Sequence, residues 1–189
     1  MNRLSAFFYR ISTGWVALAA LIVFLVFSVL TLPAETQRTE QYSQGLGSPD
    51  TSLFYNSDQL LKMAGTFGEE GRAAFIKARW SFDLAFPFIY SFFYLTAISF
   101  LFNKLVKPGS WWRIFNLIPI LGLVFDLAEN SATTSVMAVY PRLNPTALFL
   151  APIFTPLKWF FVAFGTVLLV GLVLYWGIRG FIIRPEKTI

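Results

Sequence analysis

In the stretch LVFDLAENSATT, Leu123 to Thr134, the side chains of Asp126, Glu129 and Asn130 fall within about one helical turn of one another inside an oily run. Two carboxyls one turn apart can divide acid and base roles when their surroundings push their proton affinities apart. With an amide beside them they can equally form an interhelical hydrogen-bond network, worth about 0.6 kcal/mol per bond in a membrane. RWSFDLAFPFIYSFFY, Arg79 to Tyr94, adds Asp83, Tyr90 and Tyr94, and APIFTPLKWFF adds Lys158. Asp83, Asp126, Glu129 and Asn130 offer only hard oxygen ligands, which suit Mg, Ca or Mn. Their spacing matches no loop for these ions, so neither a metal nor another cofactor is expected. The chain has no Cys and no His. Thiol nucleophiles, disulfides, histidine-ligated metals and Ser-His-Asp chemistry are thereby excluded.

The spacing arranges these residues into stripes. Gly122, Asp126, Glu129, Asn130, Thr133 and Met137 recur three or four apart, and so do Asp83, Pro87, Tyr90, Ser91 and Tyr94, which places each set on one helix face. A carboxylate facing lipid at a span centre costs about 2.5–3.5 kcal/mol on insertion scales. The acids are therefore expected to face a bundle interior or water. Asp83 lies four residues after Arg79, the spacing of an intrahelical ion pair or an interface anchor. Lys158 either snorkels to the interface beside Trp159 or reaches inward to a carboxylate. Pro87 frees the carbonyl of Asp83 from its helical partner.

The elements that position them are read from hydropathy. The 189 residues are 56% hydrophobic and 19% aromatic, with 13% charged, too apolar for a water-soluble domain of this length. A spanning helix needs about 20 mostly apolar residues, and four segments qualify: 15–32, 82–102, 112–140 and 152–178. The expected fold is all-α, a single-domain four-helix transmembrane bundle. The first apolar run exceeds a signal-peptide core and lacks an A-x-A site, so it reads as a retained anchor. No internal repeat and no low-complexity tract is visible. The formal charge of +5 is scattered around the spans with no basic stripe, which argues against a nucleic-acid partner. Arg3 and Arg10, then Lys104, Lys107 and Arg113, then Arg179, Arg184 and Lys187 flank the spans on one side. The positive-inside rule puts that side, with both termini, in the cytoplasm, and a bacterial-type inner membrane is expected. The paired tryptophans Trp111 and Trp112 read as an inner interfacial belt.

Two segments then lie outside, 33–81 and 140–151. Residues 33–54 are rich in Gln, Ser, Thr, Gly and Pro and predict a solvated loop. Beyond them, Asn56 or Ser57 can cap a short helix ending at Gly65. Thr66-x-x-Glu69 has capping-box spacing, and Phe75, Ala78 and Phe82 recur at helical spacing while Arg72, Lys77 and Arg79 are polar. This predicts an external amphipathic helix that lies on the membrane surface or roofs the bundle. Arg79, Asp83, Asp126, Glu129 and Lys158 all fall in the outer half, so a polar pocket open to the outer side is expected.

The patterns E-G-R-x-x-F (Glu70–Phe75), D-x-x-F-P-x-x-Y (Asp83–Tyr90) and F-D-x-x-E-N (Phe125–Asn130) resemble an uncharacterised bacterial family of small four-span membrane proteins, which brings no activity with it. In architecture the chain is also similar to the emopamil-binding and sterol-isomerase-like superfamily, which implies compact spans lined with acids and aromatics around a hydrophobic ligand. The absence of His departs from the isomerase pattern, and the absence of Cys departs from vitamin K epoxide reductase-like four-span proteins.

Three functions follow as expectations. The leading one is a module that binds a membrane lipid or another small amphipathic molecule in a pocket lined by Asp83, Tyr90, Tyr94, Asp126, Glu129, Asn130 and Lys158. The second is an accessory subunit of a larger membrane assembly, with other membrane subunits as partners. The third is an intramembrane acid/base enzyme. A proton- or cation-coupled carrier ranks behind these, because four spans alone would struggle to enclose a pathway.

Overall fold

The computed structural model describes residues 3–182 and is built from helices; among the described residues there is no strand. Arg184 and Lys187, counted above among the inner-side charges, lie outside the described residues. The elements are α1 (Arg3–Ile11), α2 (Gly14–Ser43), a short 3-10 turn (Pro49–Thr51), α3 (Ser57–Thr66), α4 (Gly68–Arg79), α5 (Phe82–Leu105), a 3-10 segment (Trp111–Leu117), α6 (Ile118–Val139) and α7 (Pro145–Ile182). Four helical stretches are long and apolar enough to cross a membrane: Gly14–Ser43, Gly68–Leu105, Trp111–Val139 and Pro145–Arg179. The chain is an integral membrane protein of the all-α class, as its hydropathy predicts.

The core of the bundle is three helices. α6 and α7 share the most extensive interface, and α5 packs against both. Gly122 lies at the crossing of α6 and α7, where a Cβ would meet Val162 at 3.4 Å, in van der Waals contact. The Phe125 and Phe161 rings stack beside that crossing, with centroids 5.6 Å apart. α2 stands to one side and packs mainly on α5, with only minor contact to α6 or α7. Its seam is aromatic: Phe24 stacks on Phe86 and Phe93, and Phe27 on Phe82 and Phe86. The rest of α2 presents Leu18, Ile22, Val26, Val29 and Leu30 outward, as lipid-facing surface requires.

Two expectations about the outer segment are corrected. Residues 33–43 do not form a loop. α2 continues through Pro33 to Ser43, because PAETQRTEQYS is composed largely of tolerable or good helix formers and α4 supplies a packing partner. Thr66 does not open a capping box. It is the last residue of α3, and α4 begins at Gly68 with no side-chain cap. The capping box is at Asn56, whose side chain accepts from the Gln59 amide while the Gln59 side chain accepts from the Asn56 amide.

α3 and α4 roof the C-terminal end of α6 and the N-terminal end of α7. Leu60, Ala64, Phe67 and Phe75 pack with Val136, Met137, Leu148 and Ala151 in one buried cluster. α7 starts earlier than hydropathy suggests, at Pro145, with Asn144 Oδ1 accepting from the Ala147 amide 3.1 Å away. The connection between α6 and α7 is therefore only 140–144, and Pro152 and Pro156 sit inside the helix.

The opposite end is tied by a polar knot that the sequence reading did not foresee. Arg113 is buried, with its guanidinium 3.9 Å from the centre of the Tyr9 ring and Nη1 donating to the carbonyl of Val106 at 3.2 Å. Its other Nη donates to Asn103. Asn116 meets the Ser5 hydroxyl at 2.8 Å and Ser99 at 3.0 Å. Arg113 thus satisfies carbonyls at the end of α5, as a cation at a helix C-terminus should, and clamps α1 to the rest.

Candidate functional site

The end of the bundle beneath α3 and α4 holds a chain of ion pairs. Arg79, at the end of α4, places Nη1 2.6 Å from Asp50 Oδ1 and 2.7 Å from Asp83 Oδ2. Lys158 of α7 stands 3.6 Å from Asp50 Oδ1, donates to the Asp50 carbonyl at 3.3 Å and pairs with Glu129 Oε2. The Thr155 hydroxyl lies 2.6 Å from Glu129 Oε1 and 2.9 Å from the Tyr55 hydroxyl. Arg79, Asp83, Glu129, Thr155 and Lys158 are all buried. Burial of charges at this density is tolerable only when each has partners.

Asp50 is the hub. It sits on the 3-10 turn that opens with Pro49, in the strap between α2 and α3, and it is the only charged residue between Glu40 and Asp58. Burial raises its proton affinity, but Arg79 and Lys158 outweigh that and hold the carboxyl at about 2, below the ordinary 3.8. Burial, and then the Glu129 carboxylate, push the Tyr55 phenol up. The strap is also fastened to α7 by Trp159 Nε1, which donates to the carbonyl of Ser52 at 2.9 Å. Just past the strap, the hydroxyl of Ser57, the first residue of α3, donates to the carbonyl of Leu148 at 2.8 Å.

Beneath the strap, between α2, α5 and α7, lies a cavity of about 360 Å³. Asp50 and Thr51 form its wall on the strap side, Phe24, Leu32, Phe82 and Phe86 its apolar side, and Trp159 and Val162 the face of α7. Tyr90, Tyr94, Asp83, Asp126 and Lys158 supply its polar groups. Asp126 accepts from the Tyr90 hydroxyl at 3.1 Å, while Tyr94 bonds instead to Thr166 at 2.8 Å.

The sequence-derived site residues are thus all in the bundle, but not in one pocket. Asp83, Tyr90, Tyr94, Asp126 and Lys158 line the cavity, whereas Glu129 and Asn130 do not. The reason is rotational: three residues advance a helix by about 300°, so Asp126 meets Tyr90 of α5 while Glu129 meets Thr155 and Lys158 of α7. Asn130 is buried and its Nδ2 has no hydrogen-bond partner among the described residues. Lys158 reaches inward, with its ammonium also 5.1 Å from the centre of the Trp159 ring. Arg79, placed on the polar face by its spacing, is instead buried beside Phe75, 4.8 Å from that ring's centre.

Asp50, Tyr55 and Thr155 were missed. A lone acid after Ser-Pro in an uncharged segment was the available signal for Asp50. Nothing in the spacing marked Tyr55 or Thr155. Comparison with family models, characterised proteins and solved structures finds no match.

Proposed function

We propose that the protein binds a lipid or another small amphipathic molecule in the cavity between α2, α5 and α7. The observation that carries this reading is the composition of the cavity wall. Phe24, Leu32, Phe82, Phe86, Trp159 and Val162 make much of it, and a few polar groups are set among them, the composition expected of a small-molecule site. The strap covers the polar end. α2 and α7 flank the cavity without packing closely on each other, so its apolar side gives onto the bilayer.

The polar end belongs to the outer side, and both termini to the cytoplasm, by the distribution of Arg3, Arg10, Lys104, Lys107 and Arg179 about the spans. Reporters fused at residue 143 and after the C-terminus test this orientation: an external C-terminus would reverse it. The membrane is a bacterial-type inner membrane, and the protein is one of the small four-span family that the E-G-R and F-D-x-x-E-N patterns suggest.

Extraction in mild detergent followed by mass spectrometry of the organic extract tests the binding reading. A stoichiometric amphiphile supports it. A stoichiometric protein partner with no such molecule would support the accessory-subunit reading instead.

A further inference from the structure

Arg79 and Lys158 invite the assignment of a phosphate or carboxylate head group to the cavity, but the ion pairs oppose it. Arg79 is already shared between Asp50 and Asp83, and Lys158 between Asp50 and Glu129. An anionic head would have to displace an internal carboxylate that is held by the fold.

The unsatisfied group is of the opposite kind. Asp126 is buried, lines the cavity and makes no ion pair among the described residues. The Tyr90 hydroxyl meets its Oδ2; Oδ1 meets no donor among the described residues and is not fully enclosed, so it keeps accessible surface at the cavity. A carboxylate oxygen that faces a cavity with no protein donor is an open acceptor site for a ligand that brings one. Asp50 and Asp83 also line the cavity, against Lys158 as the one cation among its lining residues, so acids outnumber cations there. The aromatic walls, Phe24, Phe86 and Tyr90 among them, suit an alkyl or ring body, and tyrosine and tryptophan faces tolerate a neighbouring positive charge.

Resting on the binding reading above, we propose that the cavity selects amphiphiles whose head group donates hydrogen bonds, a hydroxyl or a protonated amine, with Asp126 as the acceptor that holds the head.

The test uses the full chain in nanodiscs and three photoreactive probes with the same diazirine-bearing dodecyl tail: the alcohol, the primary amine and the phosphate monoester. Labelled peptides are mapped by mass spectrometry. The alcohol and the amine should label Phe24, Phe86 and Val162 at least several-fold more than the phosphate does. Asp126→Asn should lower that labelling about tenfold, the loss of roughly one charge-assisted hydrogen bond. Thr133→Val, a buried substitution on the same helix but outside the cavity lining, should keep it and shows that disturbance of α6 is not itself the cause.

Stronger labelling by the amine than the alcohol would identify a cationic head, and the reverse a neutral one; either supports the proposal. Equal cavity labelling by the phosphate would overturn it and leave the binding reading standing. So would undiminished labelling of a folded Asp126→Asn protein. Failure of all three probes to label the cavity above the outward-facing Val167 and Val170 would overturn the binding reading and the proposal together.

Discussion

The charges in this membrane protein are organised by single contacts. Lys158 is the clearest case, since it is the cation beside Glu129 in a site from which water is largely excluded. Lys158→Met removes that cation while leaving the carboxylate buried, and it should lower stability by about 3 kcal/mol. The double variant Glu129→Gln/Lys158→Met should recover most of the loss, as thermal unfolding in detergent would show. A double variant as unstable as the single would mean that Lys158 acts through Asp50 alone.

Asp50 allows a test by pH. Its carboxyl is held at about 2, below the ordinary 3.8, so it stabilises the fold fully above about pH 4 and loses that contribution as pH falls towards 2. The shift corresponds to about 2 kcal/mol. The melting-temperature gap between wild type and Asp50→Asn should therefore be widest near neutral pH and should close between about pH 4 and pH 2. A gap unchanged over that range would show that Arg79 and Lys158 do not govern Asp50.

At the scale of elements, the polar extension of α2 is the feature that hydropathy hides. Pro33 and the polar residues after it read as the end of a span, yet α2 runs on to Ser43 because α4 lies against it. Gly71 makes that packing possible, since a Cβ there would stand 2.7 Å from Tyr42 Cβ. Gly71→Val should cost about 1–3 kcal/mol through overpacking and speed proteolysis between residues 33 and 56. Unchanged protection would separate α4 from the support of α2.

The E-G-R pattern thereby acquires a physical content. Gly71 admits Tyr42, Arg72 donates to the carbonyl of Ala64 at 3.0 Å and lies over the Tyr140 ring, and Phe75 fills the core. Periodicity revealed the stripes on α5 and α6, because each needs only one helix to be seen. It could not reveal how the stripes meet. Asp126 and Glu129 share a stripe but face different neighbours, and Asp50 reaches the ions from a strap whose path no periodicity encodes. The knot of Ser5, Tyr9, Asn103, Arg113 and Asn116 was hidden for the same reason, its members being up to 111 residues apart in sequence.

For the whole molecule, three mutually packed helices, a fourth leaning on one of them and a strap over the gap together make a cavity with a charged end and an oily side. In the proposed reading, the bilayer supplies what an aqueous pocket lacks, a reservoir of amphiphiles beside the cavity. Val162 lines that cavity from α7, and Val162→Trp would put an indole into it. Native mass spectrometry of the intact protein, released from mild detergent, compares the two directly. Wild type should carry a bound small molecule that Val162→Trp lacks, while both keep the same fold. A wild-type protein without any adduct, or a Val162→Trp protein carrying the same one, would contradict the assignment of this cavity as the binding site.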